Sequence, residues 1–284
     1  MMPFYGDVAQ FRQAVTSVLD QRDGELRLVV VDDCYPDPEP REWLASLTDP
    51  RVHYLRNETN LGVNGNFRRC VDLVEAEYFV VMGCDDVMLP QYLRTVRALA
   101  AQHPWASVVA PGVEVIDERD HLVKPLGDRI KTALTPKSRG GAVTVLTGEA
   151  MAASLYHGNW TYFPSLLWRT EAVRDVGFRP GLEIVLDLAL LVDLAANDGS
   201  LVHDPSVVFR YRRHGASVSS VQAVDGRRFA EENAFFAAEA RRCAARGWPR
   251  AARAARLHAT SRLNHVQTRA VSAVSRLRGA SPDR

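Results

Sequence analysis

The residues with the clearest chemical potential are two pairs of adjacent acids, each following a short apolar run. Leu26 to Val31 leads into Asp32-Asp33, and Tyr78 to Met82 leads through Gly83-Cys84 into Asp85-Asp86. If both runs are buried parallel strands, their carboxyl ends aim four carboxylates at one crevice, where open α/β sheets bind ligands. The second pair suits a divalent ion such as Mg²⁺ that also binds diphosphate oxygens, and the first suits hydrogen bonds from a base or ribose. Either pair alone is explained equally well as a turn former or a helix N-cap.

Helices and strands alternate around these acids. Apolar residues recur at helical spacing over 8–19, 43–47, 67–74 and 93–99, and short apolar runs at 52–55 and 107–110 indicate further strands. Strands that alternate with helices imply a largely parallel sheet with helices on both faces. The predicted fold class is therefore α/β, with the acids at the edge of the sheet where its strands end.

The alternation loosens beyond Pro111. Val113 to Ile116 is predicted to be an edge strand, and Thr132 to Val143, rich in Gly, Ser, Pro and basic residues, is predicted to be a mobile loop. Further helices are expected over 149–156 and 171–176 and around Asp187, and further strands over 165–168 and 207–211.

The net charge of +1 hides an uneven distribution. Residues 225–284 contain 13 Arg and no Lys against 5 acidic residues, so an acidic body precedes a basic tail, predicted to be helical with a break at Gly247-Trp248-Pro249. The near-neutral sum predicts no general affinity for nucleic acid. An Arg-bearing amphipathic helix could lie on an anionic membrane. Large apolar anchors are few beyond Leu257, Leu263 and Leu277, however, which favours packing on the body or self-association with a second copy of the chain.

The spacing of the cysteines and the hydropathy of the sequence indicate the cellular compartment of the protein. The four cysteines show no C-x-x-C spacing and are expected to be free thiols. The first residues lack the pattern of a secretory signal, and no apolar run approaches the roughly 18 residues of a membrane span. We therefore expect a cytoplasmic protein, with peripheral contact of the tail at the inner face of the membrane as the alternative.

Seven segments follow one another in a specific order and spacing, although each is weak alone. They are Leu28 to Asp33, Arg56 to Asn66, Tyr78 to Pro90, Pro164 to Arg169, Val176 to Phe178, Asp187, and Tyr211 to His214. Together they resemble the successive blocks of the family 2 glycosyltransferases, which have the GT-A fold, over roughly residues 3–220. The resemblance implies a GT-A (Rossmann-like) domain over residues 1–220 and an Arg-rich α-helical tail over 221–284.

The resemblance also implies roles for individual residues. Asp187 matches the general base that deprotonates the acceptor hydroxyl. Asp85 matches the last acid of the D-x-D motif, the ligand of a Mn²⁺ or Mg²⁺ ion that bridges the diphosphate, with Asp86 as a further candidate. His214, with Arg212, matches a late motif that approaches the metal or the diphosphate. Asp33 matches the acid that contacts the base or ribose, and the implied nucleotide site also includes Phe4, Tyr5, Asn60, Asn66 and Asp85.

The activity implied by the resemblance is inverting transfer of a sugar from a UDP- or dTDP-type nucleotide sugar. The acceptor would be a hydroxyl of a saccharide, a lipid-linked glycan or a small metabolite. A base on one face of the sugar and a metal beside the leaving diphosphate satisfy an in-line displacement. The alternative is a non-catalytic relative that binds nucleotide diphosphates, which Gly83 in place of the first D-x-D acid favours.

Two further departures from the family pattern stand out. Leu186 occupies a position where the family often has an acid before Asp187. The family's first apolar strand should precede Pro3-Phe4-Tyr5-Gly6, and it is nearly absent. We expect a truncated start, with the native start codon upstream, because a missing central strand would leave hydrogen bonds of the sheet unpaired.

Overall fold

The computed structural model describes residues 1–137, 139–213 and 227–258, and its strands form two sheets. The first sheet is parallel and has the order β1-β2-β3, with β1 at Met2–Phe4, β2 at Leu28–Asp32 and β3 at Val52–Arg56. Alternate residues of β2 enter two hydrophobic clusters, one on each face of the sheet. The predicted α/β class is confirmed.

The first strand, expected to be nearly absent, is present in short form. Met2 lies opposite Val30 in the parallel pairing with β2. On its other side, the Met1 amino group donates to the Val80 carbonyl (2.9 Å) and the Met1 carbonyl accepts from the Met82 N–H (3.0 Å). The three residues of β1 thus pair with segments on both sides. A native start upstream of Met1 stays an expectation.

The second sheet is mixed. Its order is β4-β8-β6-β9-β5, with β7 also on β9, and among these described strands only β6 and β9 run parallel to each other. The second sheet therefore adds one parallel pair to the two of the first sheet, and its other pairs are antiparallel. The strands are β4 (Tyr78–Phe79), β5 (Val87–Met88), β6 (Val108–Ile116), β7 (Thr144–Thr147), β8 (Leu167–Arg169) and β9 (Ser200–Arg212).

Strand β6 is continuous where two strands were predicted. It pairs with β9 along its whole length, across a shift of register at Gly112. A Cβ atom on Gly112 would lie 2.4 Å from the Pro205 carbonyl oxygen, so the bulge requires glycine. The predicted edge strand over Val113 to Ile116 is therefore the second half of β6.

The helices of the body agree with the predicted positions except for one. Helix α5 runs into the segment from Thr132 that was predicted to be a mobile loop. Its buried Asp128 binds Arg213 and Tyr162, which anchors the helix to the body. The helices are α1 (Val8–Leu19), α2 (Glu39–Ser46), α3 (Gly62–Asp72), α4 (Tyr92–Gln102), α5 (Leu126–Leu134), α6 (Gly148–His157), α7 (Thr170–Val176) and α8 (Leu186–Ala196).

The described part of the tail consists of α9 (Arg227–Ala245) and α10 (Pro249–Leu257), separated at the predicted break. Phe235, Phe236 and the alanines of α10 enter the same core cluster as residues of α6 and α8. Residues 227–258 therefore pack on the body and are not a separate module. Leu263 and Leu277, two of the three large apolar residues considered as membrane anchors, lie outside the described residues.

A buried ionic network joins α9 to the body. Glu239 is 1% exposed and accepts from the Tyr156 hydroxyl (2.6 Å) and from Arg179 Nη1 (2.7 Å). Arg179 also binds Asp193 of α8 at 2.6 Å, and Arg242 of α9 contacts the same carboxylate. The tail is thus bound to the helix that carries Asp187.

The described residues bear on two expectations, that no segment spans a membrane and that the cysteines are free thiols. None of the helices described is both long and apolar enough to cross a bilayer. Cys34, Cys70, Cys84 and Cys243 are free, as predicted.

We expect Glu239→Ala to lower the free energy of unfolding by about 1–3 kcal/mol, because it leaves the buried Tyr156 hydroxyl without its acceptor and removes one of the two carboxylates bound by Arg179. Urea denaturation measures this effect. Glu75→Ala is the control, since it breaks the exposed pair with Arg27 and should change stability little. Equal effects of the two substitutions would contradict integration of the tail into the core.

Candidate active site

Asp33 lies buried at the carboxyl end of β2 and organises the loop that leads into α3. Its backbone N–H donates to the Phe4 carbonyl (2.9 Å), and its Oδ1 accepts from Asn57 Nδ2 (2.9 Å) and from the Leu61 N–H (2.8 Å). These bonds join the ends of β1 and β2 to the start of α3. The predicted base or ribose contact is thus held at the edge of the sheet where α/β folds bind ligands.

Asp32 has different partners. Its Oδ2 accepts a short hydrogen bond from the Tyr54 hydroxyl and lies 3.6 Å from Arg56 Nε, and its Oδ1 accepts from the Tyr35 N–H at 2.7 Å. Burial, followed by this hydrogen bond, raises the pKa of Tyr54. The expectation that Asp32 joins a crevice of four carboxylates is wrong, because successive strand side chains point to opposite faces and Asp32 is bound by residues of β3.

The two predicted asparagines differ in their surroundings. Asn66 is buried, and its Nδ2 donates to the Val31 carbonyl (2.9 Å) while its Oδ1 accepts from Asn57 Nδ2 (3.0 Å). Asn60 is exposed, and its Oδ1 accepts from the Gly62 N–H (2.9 Å) at the start of α3. Asn66 therefore supports the loop from inside the protein. Contact of either residue with a nucleotide stays a prediction.

Of the two aromatic residues predicted for the nucleotide site, only Tyr5 has an accessible ring. Phe4 is fully buried, with its ring centroid 4.1 Å from that of Phe11. Tyr5 is 55% exposed, and its ring meets Tyr35 edge-on with centroids 5.5 Å apart. Phe4 thus contributes its backbone carbonyl to Asp33, whereas Tyr5 presents an aromatic surface next to it.

In the loop after β4, the carboxylates of Asp85 and Asp86 lie close to the backbone of Gly83. Asp86 is buried, and its Oδ1 accepts from the Arg212 N–H (2.8 Å), whereas its Oδ2 has no hydrogen-bond partner. Burial, and then the charge of Asp85, raises the pKa of Asp86 well above its usual range. A Cβ atom on Gly83 would lie 2.5 Å from Asp86 Oδ2 and 2.8 Å from Asp85 Oδ1. Any side chain at position 83 would therefore displace the carboxylates of Asp85 and Asp86 from these positions.

The Arg212 side chain supports this loop from inside the protein. It is 2% exposed, and its Nε donates to the Asp85 carbonyl (2.7 Å) and its Nη1 to the Asp117 carbonyl (2.8 Å). Its Nη2 donates to Gln13 Oε1 and Asp120 Oδ1, both at 2.7 Å. Arg212 is thus engaged with protein acceptors on three elements, and its contact with a diphosphate stays a prediction.

The carboxylates of Asp85 and Asp86 are the candidate ligands for the predicted divalent ion. Among residues 1–137, 139–213 and 227–258, no three His, Cys, Asp or Glu side chains form a complete metal site. Mg²⁺ in nucleotide sites, however, commonly takes only one or two protein carboxylates together with substrate phosphates. The partnerless Asp86 Oδ2 and the adjacent Asp85 carboxylate fit such a shared site. His214, the other predicted ligand, lies outside the described residues.

Asp187 occupies the first turn of α8 and is half-buried. Its Oδ2 accepts from Asn159 Nδ2 (2.8 Å), and its Oδ1 accepts from the Leu188 N–H (2.7 Å). Burial raises the pKa of Asp187, and the positive charge of Lys131 opposes that rise. A carboxylate with a raised pKa is a suitable proton acceptor, because it binds the proton more strongly than an ordinary Asp does.

Asn159 is a site residue that the sequence did not reveal. The segment Asn159-Trp160-Thr161 has the form of an N-glycosylation sequon. In the structure, the Thr161 hydroxyl donates to Asn159 Oδ1 (2.7 Å), which leaves the amide nitrogen directed at Asp187. The threonine two residues after the asparagine was the only available signal.

A cluster of polar and aromatic side chains connects the acidic loop with Asp187. Asp128 binds the Tyr162 hydroxyl (2.9 Å) and Arg213 Nε (2.6 Å), and the Tyr162 ring lies 5.2 Å from that of Tyr211. Burial, and then the charge of Asp86, raises the pKa of Tyr211 to about 12. At the other end, Lys131 Nζ lies 4.4 Å from the centre of the Tyr162 ring, and its charge acts on Asp187. Ring contacts and electrostatic interactions thus link Asp86 to Asp187 through Tyr211, Tyr162 and Lys131.

Comparison with known proteins places this site in a family context. The uncharacterized protein MT1568 of Mycobacterium tuberculosis is 24% identical over 237 residues, which cover 80% of this chain and 70% of MT1568. The succinoglycan biosynthesis protein ExoO of Rhizobium meliloti is 24% identical over 224 residues, which cover 78% of this chain and 62% of ExoO.

Among solved structures, S. aureus TarS (residues 1–349, in complex with UDP-GlcNAc) matches with a TM-score of 0.62 and 16% identity. The match covers 83% of this chain and 64% of the TarS chain, and it shows a shared fold. This chain thus spans less than two thirds of both ExoO and TarS. The model of glycosyl transferase family 2 matches residues 1–155, which is more than half of the sequence. The chain belongs to glycosyl transferase family 2.

Proposed function

We propose that the protein is an inverting glycosyltransferase that moves a sugar from a nucleotide-diphosphate sugar to an acceptor hydroxyl. The observation that carries the proposal is the position of Asp187. This carboxylate with a raised pKa borders the same cluster of side chains as the buried acids of the Gly83–Asp86 loop. A base at one end of a site and diphosphate-binding groups at the other are what an inverting transfer needs.

The donor half of the proposed site combines Tyr5, Asp33 and Asp85. The exposed Tyr5 ring offers a stacking surface for a planar base, and the rigidly held Asp33 offers an acceptor for base or ribose hydrogen bonds. TarS, which shares the fold, has been crystallised with UDP-GlcNAc and with UDP. These facts support a UDP- or dTDP-type donor for this chain.

The proposed reaction requires one proton transfer and one displacement. Asp187 accepts the proton of the acceptor hydroxyl, whose oxygen forms the new bond to the anomeric carbon while the diphosphate leaves with the bonding electron pair. Asn159 and Lys131 hold the base in place and favour its charged form. Asp85 and Asp86 would hold a Mn²⁺ or Mg²⁺ ion, which supplies neutralisation of the charge on the leaving diphosphate when it is bound.

The acceptor is proposed to be a saccharide, free or lipid-linked. ExoO, a relative over most of this chain, is named for succinoglycan biosynthesis, which supports a sugar hydroxyl as the acceptor.

We expect Asp187→Asn to lower the rate of sugar transfer by at least about 100-fold, because the amide cannot accept the proton. Binding of UDP, measured by calorimetry, should be unchanged, since the proposed base acts on the acceptor hydroxyl and not on the nucleotide. The rate is measured as UDP or dTDP release from a panel of UDP- and dTDP-sugars with Mn²⁺. Transfer at the wild-type rate would remove Asp187 from the mechanism. A wild-type chain that binds UDP but transfers no sugar would support the non-catalytic alternative.

The pH dependence of transfer offers a second test of the base. Because the pKa of Asp187 is raised, its proton stays bound to a higher pH, and the rate should fall as pH decreases through a value above the ordinary 3.8 of Asp. Lys131→Met removes a positive charge that lowers this pKa, so the acidic limb should move to higher pH. A limb that stays in place in Lys131→Met would contradict the assignment.

A substitution at Gly83 tests whether the acidic loop contributes to binding of the diphosphate. We expect Gly83→Ala to weaken Mn²⁺-dependent UDP binding by at least about tenfold, because its Cβ atom would displace the carboxylates of Asp85 and Asp86. Gly127→Ala is the matched control, since a Cβ atom there meets nothing within 4 Å. Calorimetry with and without Mn²⁺ measures both variants. Equal affinities would show that the loop does not contact the diphosphate.

A further inference from the structure

The segment that precedes α8 donates hydrogen bonds to the tail. The Glu231 carboxylate of α9 accepts from three consecutive backbone N–H groups, those of Glu183 (3.0 Å), Ile184 (2.7 Å) and Val185 (3.1 Å). These N–H groups lie just before the first turn of α8, where the positive end of the helix dipole favours an anion. Asp187 follows two residues after the last of these groups.

The N-cap residue of α8 does not hold the start of the helix. Val185 occupies that position, and its side chain accepts no hydrogen bond from the first turn. Ser, Thr, Asp or Asn usually supplies such an acceptor. Here Asp187 accepts from the Leu188 N–H within the first turn, and Glu231 of the tail binds the three N–H groups that precede that turn.

The same segment is held from the opposite side by α3. Asn64 Nδ2 donates to the Glu183 carbonyl (2.8 Å) and also binds the Glu183 carboxylate. Arg68 Nη2 donates to the Leu182 carbonyl (3.3 Å). Because α3 begins at the loop organised by Asp33, the segment before Asp187 lies between the donor half of the site and the tail.

Helix α9 also holds the far end of α8. Arg242 contacts the Asp193 carboxylate and donates to the Val192 carbonyl (3.3 Å). Glu231 and Arg242 therefore bind opposite ends of the helix that carries Asp187. Such a two-point attachment restricts both the rotation and the translation of α8.

We infer that Glu231 is a positioning residue for sugar transfer, which sets the place of Asp187 relative to the donor. This role rests on the proposed function, because it assigns to Asp187 the part of the base. Glu231 acts through backbone N–H groups and touches no reacting atom. The tail helix α9 is then part of the catalytic unit.

The test compares Glu231→Ala with a matched variant. Glu149 accepts from the N–H groups of Arg250 (2.6 Å) and Ala251 (3.3 Å) at the start of α10, so Glu149→Ala removes the same kind of cap between body and tail at another place. Both variants should lose similar thermal stability. Only Glu231→Ala should lower kcat, by at least about tenfold, with KM for the donor unchanged, since a small displacement of a catalytic group is costly.

Two further measurements separate positioning from general loosening. Glu231→Gln keeps an acceptor oxygen and should restore most of kcat. Hydrogen exchange of the amides at 183–188 should accelerate in Glu231→Ala and stay unchanged in Glu149→Ala. The substrate is the UDP- or dTDP-sugar that the wild-type chain hydrolyses fastest in the panel above.

The outcomes distinguish this inference from the proposed function. A normal kcat in Glu231→Ala, or an equal loss in Glu149→Ala, overturns the positioning role while the proposed function stands. A wild-type chain that binds UDP but releases none from any nucleotide sugar overturns the proposed function, and the positioning role with it.

Discussion

The arrangement of the site depends on one buried cation. A guanidinium removed from water needs a partner for nearly every N–H group, because an unpaired buried charge is costly. Arg212 meets this need with acceptors on the loop of Asp85, on α1 through Gln13 and on the turn after β6 through Asp120. Three elements distant in the chain are thereby fixed around one point. The Arg212 N–H also binds Asp86, so the position of the acidic loop follows from the burial of this arginine.

The residues that sequence reasoning identified share a local signature. Asp33 and Asp85 follow apolar strand-forming runs, and Asp187 begins an apolar helix, so each lies where an isolated acid is conspicuous. Asn159 and Asp128 carry no such signature. Their importance arises from bonds to Asp187 and Arg213, 28 and 85 positions away, which only the fold brings together. Supporting contacts of this kind cannot be predicted from spacing.

Strand lengths were predicted less well than strand positions, and the reason lies in pairing. The run from Tyr78 to Met82 has strand composition throughout, yet its first two residues pair with β8 whereas Val80 and Met82 bond to Met1. The amino-acid composition of a segment can indicate that it is buried and extended, but it does not indicate which strand the segment pairs with. The same holds for β1, whose partners on both sides are distant in sequence, so that its pairing could not be predicted from composition.

In the part of the chain that the structure describes, several basic side chains of the tail are paired with acceptors of the acidic body. Arg242 binds Asp193, Arg246 donates to the Ala196 carbonyl and Arg250 binds Glu149, so basic groups of the tail meet acceptors of the body. The family match ends at residue 155, before Asn159, α8 and the tail. The proposed base therefore lies in the part of the chain that the family model does not match. Its surroundings join both parts, because α3 lies within the matched residues whereas Glu231 and Arg242 of α9 lie beyond them.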